Sequence, residues 1–198
     1  MNFETEDLLS QITLPEGRPT SWITVFLLMF GALLATVFFA GFALPYLMFD
    51  AVVLERFAGR TFWIWTHVAT ATVALLIGPT LIWLGVKRRR MNLHRPLGFV
   101  YLAAVGLSSI SAFYLAATTD VSWVFGMGLA GLGVAWIITS GMAFLAISRR
   151  MIVQHQEWMI RSYVTTFGFV TFRFLVGILT VMEVGTIVEQ LTAASWFC

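Results

Sequence analysis

Apolar and polar positions along this chain fall into long blocks. Five stretches, approximately 22–44, 62–86, 97–119, 122–147 and 158–184, are nearly uninterrupted apolar runs. Each reaches the roughly 20 residues that a helix needs to cross a hydrocarbon core about 30 Å thick. Backbone amides and carbonyls find no partner in hydrocarbon, so these segments must satisfy them internally as helices. The pattern predicts an all-α fold: a polytopic integral membrane protein with five transmembrane helices, of which helices two to five form a four-helix bundle.

The polar blocks complete the outline. Residues 1–21 form an acidic, polar tail, and 22–198 form a single five-helix transmembrane domain. The tail lacks the basic start and short apolar core of a signal peptide, and it lacks a myristoylation signal. It is expected to stay uncleaved in the cytoplasm, with a short amphipathic turn at Leu8, Leu9 and Ile12. Pro45 closes the first helix, and "DAVVLERFAGR" follows as a short interfacial segment. The turn "TTDVSW" is so tight that helices three and four must be antiparallel neighbours. "LIGPTL", with Gly78 and Pro79, is expected to interrupt the second helix.

Charge sets the orientation. Lys87, Arg88, Arg89, Arg90 and Arg95 lie at one connection, and Arg149, Arg150 and Arg161 at another on the same side. Only Arg56 and Arg60 fall in loops on the opposite side. The positive-inside rule puts both basic connections and the N-terminus in the cytoplasm, and the C-terminal "ASWFC" outside with Trp196 near the interface. Composition agrees: 59% of the 198 residues are hydrophobic and 11% charged, against roughly 25% charged in soluble domains. The net charge of +2 arises in the basic loops, so it argues orientation and no nucleic-acid partner. Cys198 stands alone, which excludes a disulfide or cysteine metal site within one chain.

The remaining signals are small and polar residues inside the apolar runs. Gly126, Gly128, Gly131, Gly133 and Gly141 on helix four, with Ala71, Ala74, Gly78 and Gly85 on helix two, read as faces for close helix packing. On helix five, His155, Met159, Ser162, Thr166, Arg173 and Thr180 fall on one stripe at 100° per residue. Arg173 is deep, and a charge at the bilayer centre costs about 2.5–3.5 kcal/mol on insertion scales. It must face the bundle interior and find a partner. Depth offers His67, Tyr114, Glu183 or a bound anionic ligand; a structural arginine held by carbonyls and water is the other reading. His67, Arg173 and Tyr101 are therefore candidates for a buried polar site.

His94 and His155 each precede an apolar run on the cytoplasmic side. Two histidines at one level are the minimum for a bis-histidyl b-type haem, with the iron held by His94 and His155. Arg95 and Arg161 are placed to pair its propionates. The plainer reading is two interfacial hydrogen-bonding residues. His67 has no histidine partner on helix four, so a second such haem is not expected. No nucleophile elbow, HExxH or P-loop occurs, so hydrolase and nucleotide-driven readings lack a motif.

These residues carry a resemblance. His67 with "LIGP", "HRPLGFVYLAAV" from His94 through Tyr101, Trp136, and "HQEWMIRSYVTTFGFVTFR" from His155 to Arg173 resemble the bacterial membrane proteins grouped as domain of unknown function 2306. The resemblance covers about residues 60–184 and implies a bacterial inner (cytoplasmic) membrane location. "LHRPLG" is more loosely similar to a core-helix entrance of cytochrome b561-type proteins. There, histidines on alternate helices of a four-helix core hold haems in two layers; His94 and His155 occupy the second and fourth core helices here. Three functional readings follow. The first is an accessory or structural subunit of a larger respiratory or photosynthetic complex, which suits a chain with no catalytic motif, 18 phenylalanines and 8 tryptophans. The second is a one-haem electron-transfer protein, passing electrons to quinone near Arg173. The third is a transporter or lipid head-group binder built on the Arg173 stripe.

Overall fold

The computed structural model describes residues 22–88 and 90–198. The polar tail, with the turn expected at Leu8, Leu9 and Ile12, and Arg89 lie outside the described residues. Among the described residues, five helices are long and apolar enough to cross a membrane: Val25–Leu47, Thr61–Lys87, Met91–Ala117, Trp123–Ser148 and Ile152–Val181. The first span comprises α1 (Trp22–Phe38), one π-helical turn (Phe39–Ala43) and α2 (Leu44–Leu47). Pro45 lacks an amide hydrogen, and the Leu44 amide reaches back five residues to the Phe39 carbonyl, so the wider turn absorbs the proline. A short α3 (Ala51–Arg56) lies at the turn to α4 (Thr61–Lys87). Then follow α5 (Met91–Ala117), α6 (Trp123–Ser148), α7 (Ile152–Thr166), α8 (Gly168–Val181) and α9 (Ile187–Phe197).

Helices α4, α5, α6 and α7 pack consecutively, and α7 closes against α4. This is the expected four-helix bundle. The first span rests on α4 and α8 at its side. Outward-facing Leu76, Phe99, Leu107, Ile110, Phe144, Val164 and Phe174 are exposed. That exposure carries no hydrophobic penalty in lipid, where tails are as apolar as leucine.

Several local expectations change. Helices α5 and α7 begin at Met91 and Ile152, one to two turns before their apolar runs. His94 and His155, which precede the apolar runs, are thus both inside helices, and only His155 was expected ahead of its helix. Helix α4 is continuous through Pro79. Its lost hydrogen bond would orphan the Leu75 carbonyl, four residues back; the Tyr163 hydroxyl donates to that oxygen at 3.0 Å. Gly78 makes room for this, because a Cβ there would sit 2.0 Å from the Tyr163 ring. Helix five is divided at Phe167, where Gly168 allows Leu132 to approach to 2.9 Å of its missing Cβ.

The small-residue faces separate into two groups. A Cβ on Gly126 would meet the Ala116 carbonyl at 2.5 Å, and one on Gly128 would meet Ser195 at 2.4 Å. Gly133 is tight against Phe113, but Gly131 and Gly141 face open space. The contact at Gly128 belongs to α9, a helix the apolar pattern does not reveal. It folds back on α6 and α8. Thr186 caps it with a full capping box to Glu189. The Thr186 amide and hydroxyl hold the Glu189 carboxyl below its ordinary range. Trp196 donates its indole N–H to the Val124 carbonyl at 3.1 Å.

Candidate functional site

Three helices bring their polar side chains together in the bundle centre. Tyr101 of α5 lies 2.8 Å from Ser162 Oγ and 2.9 Å from Thr166 Oγ1 on α7. Ser140 of α6 lies 2.7 Å from Ser162 Oγ, and the Trp136 indole donates to Thr166 at 3.0 Å. Thr166 donates to the Ser162 carbonyl at 2.9 Å. A carbonyl only accepts, and that fixes every other proton. Having spent its hydrogen, Thr166 accepts from Tyr101; Tyr101 therefore accepts from Ser162, and Ser162 from Ser140. All of these side chains are buried. The half of the helix-five stripe containing Ser162 and Thr166 thus forms an interlocked hydroxyl chain, and Tyr101 is consumed by it.

Above this chain, toward the end of the bundle without the basic connections, a cavity of about 580 Å³ opens. Its walls are apolar and aromatic, with Phe38, Phe42, Phe57, Phe169 and Phe172 among them. The deepest lining residues include Leu75, Trp136 and Thr166, so the hydroxyl chain is its floor. The lining also contains His67, Arg173, Arg56, Arg60 and Asp120. Arg60 is taken by Asp120 and by the Thr118 carbonyl, an ion pair that joins the two loops at this end. Residues Ile187, Val188 and Leu191 of α9 cover one side.

Arg173 is half-buried in this cavity, eight residues or about 12 Å from the end of α8. None of the protein partners expected from depth holds it. Tyr114 stacks on Trp63 at 4.4 Å, Glu183 is exposed in the turn after α8, and His67 bonds elsewhere. Arg173 instead donates to the Tyr46 hydroxyl of the first span at 3.0 Å and lies over the Phe172 ring. Among the described residues it has no carboxylate partner.

His67 is anchored to α5. Its Nδ1 lies 3.0 Å from both the carbonyl and the hydroxyl of Ser108, whose hydroxyl also reaches the His67 carbonyl at 3.2 Å. The carbonyl accepts, so Nδ1 carries the hydrogen and the Ser108 hydroxyl donates back to His67 O. The ring also meets Phe169 edge-on at 4.9 Å between centroids.

At the basic end, His94 and His155 lie near the starts of α5 and α7. His155 Nδ1 donates to the Ala143 carbonyl at 2.9 Å, leaving Nε2 as its free nitrogen. His94 presses against α4, where its Cε1 is 3.3 Å from the position of a Gly85 Cβ, and its Nδ1 is buried without a partner. Arg95 is exposed, and Arg161 lies over the Trp158 ring at 4.5 Å. Sequence reasoning missed Tyr46, Ser108, Ser140 and the α9 wall. One signal was available: Pro79 marks Leu75 as a carbonyl in need of an outside donor.

The family described as "Predicted membrane protein (DUF2306)" matches residues 64–198. The chain belongs to that family. The match runs from α4 through α9, so the first span with Tyr46 stands outside it. No curated protein and no solved structure matches the chain.

Proposed function

We propose that this DUF2306 protein binds a lipid-soluble amphiphile in the cavity between the bundle, the first span and α9. Arg173 carries this reading: it is a half-buried cation in an aromatic-walled cavity with no carboxylate to neutralise it. An anionic or carbonyl head group supplies what the protein does not, and the phenylalanine walls accept an apolar body. Arg56 at the mouth adds positive potential. By the positive-inside rule the mouth faces the outer side of the membrane. Quinones and lipid head groups both have the required chemistry.

A purely packing role in a larger respiratory or photosynthetic complex needs no such cavity. Transport is supported less, since the lining on α7 stops at Thr166, the first of the interlocked hydroxyls that close the cavity floor. The test is binding of a benzoquinone, oleate and an anionic phospholipid to purified protein in nanodiscs, followed by tryptophan fluorescence. Arg173→Met should weaken the bound amphiphile about ten- to a hundred-fold, since a charged hydrogen bond contributes about 1.5–3 kcal/mol. Unchanged affinity, or no binding by any of the three, would sink the reading.

A b-type haem at the basic end is the second reading, favoured by the placement of His94 and His155 near the starts of α5 and α7 at one end of the bundle and by the Ala143 carbonyl that leaves His155 Nε2 free. His94 and His155 would hold the iron, and the exposed Arg95 is the nearer candidate for a propionate, given that Arg161 covers Trp158. An oxidised-minus-reduced visible spectrum tests it. The expected stoichiometric b-type signal should vanish in both His94→Ala and His155→Ala; a flat wild-type spectrum removes the pair as ligands.

A further inference from the structure

We infer that His67 is the acceptor for a hydroxyl group on an aromatic ring, so that the cavity selects a quinol-type ligand in its reduced, hydroxyl-bearing form. This rests on the amphiphile-binding reading above and names the head group.

The donor–acceptor state of His67 follows from its partners. Nδ1 gives its hydrogen to the Ser108 carbonyl, so the neutral ring presents a bare lone pair at Nε2. Nε2 has no hydrogen-bond partner among the described residues, yet it is not one of the polar atoms sealed from solvent. His67 as a whole is only 9% exposed and lines the cavity. Its open nitrogen therefore faces that space. A buried acceptor in aromatic surroundings costs stability until a donor arrives, and the described lining supplies none to it.

The aromatic walls favour a ring between them. Phe169 touches His67, and Arg173 is four residues further along the same face of α8. His67 on α4 and Arg173 on α8 thus line one cavity, with Phe169 and Phe172 among its walls. One ring hydroxyl donates to His67, and a second ring oxygen accepts from Arg173. Phe169 and Phe172 stand beside the ring, where offset or edge contacts are favourable. A fatty-acid carboxylate satisfies Arg173 and leaves His67 empty. A quinone likewise offers acceptors at both ends and fails at His67.

The experiment compares three ligands on wild-type protein in nanodiscs under anaerobic conditions: a decyl-substituted hydroquinone, its dimethyl ether and the matching benzoquinone. Oleate is the reference amphiphile. The hydroquinone should bind at least about ten-fold more tightly than the ether and the quinone, because a site built around a hydroxyl leaves its acceptor unpaired with either analogue. In His67→Phe, which keeps the contact with Phe169, the preference should disappear while Arg173-dependent binding persists. If that variant does not fold, the wild-type ligand comparison still decides. Equal affinity for hydroquinone and ether overturns the inference. Arg173-dependent oleate binding without hydroquinone binding overturns it too and leaves the amphiphile reading standing. If none of the ligands binds, both fall.

Discussion

Replacing Gly78 with alanine should cost the bundle about 2–5 kcal/mol. The added Cβ would lie 2.0 Å from one Tyr163 ring carbon and 2.3 Å from another. Tyr163 is poorly placed to yield. Its hydroxyl is tied to the Leu75 carbonyl, and its ring meets Phe167 edge-on at 5.2 Å. Moving it costs overpacking strain and also reopens the carbonyl that Pro79 leaves without an amide. With total stabilities of about 5–15 kcal/mol, that is a large fraction. Thermal unfolding in mild detergent, followed by near-ultraviolet circular dichroism, reads it out. Gly141→Ala is the control: its Cβ meets nothing within 4 Å, so it should be neutral or slightly stabilising. Indistinguishable melting of the two variants would refute the Gly78–Tyr163 lock.

Thr166→Val should be the next most damaging change, at about 2 kcal/mol. The shape is kept and one oxygen is removed. That oxygen accepts from both Tyr101 and Trp136 and donates to the Ser162 carbonyl. Its loss strands an indole N–H and a phenol O–H in the buried centre of the bundle. Orphaned donors cost about 1–3 kcal/mol each in soluble proteins. In membranes, interhelical hydrogen bonds average nearer 0.6 kcal/mol, because the separated helices find other partners. The lower end of the sum is therefore expected. A double-mutant cycle with Tyr101→Phe should show non-additivity, since both changes remove the same bond. Strictly additive losses would mean the hydroxyls act independently, against the proton order derived above.

Much of the site was legible residue by residue, and little of it pair by pair. Arg173 declares itself in sequence because a charge deep in an apolar run is expensive and must be compensated. Its actual partner, Tyr46, is 127 positions away, on a span whose membership of the core the apolar pattern leaves open. His67 is visible as a polar residue within a helix, but Ser108 is one serine among several on α5. Nothing local distinguishes it as the anchor. His94 and His155 lie ahead of the apolar runs yet inside α5 and α7, because those helices extend through polar residues that apolar runs exclude. Helix α9 was missed for the same reason. It is short and mixed in polarity, and it owes its place to docking at Gly128 and to the Thr186–Glu189 cap.

By itself, then, the sequence determined the solvent, the number of spans, their helical form and which ends share the basic connections. Those follow from lengths of apolar chain and from backbone groups that lipid cannot satisfy. Tertiary structure alone decided which hydroxyls interlock, that Tyr163 seals the carbonyl opened by Pro79, and that His67 and Arg173 face one cavity. Helical periodicity fixes the face a side chain occupies on its own helix. Which faces meet, at what depth and with what gap between them, depends on how several helices pack at once.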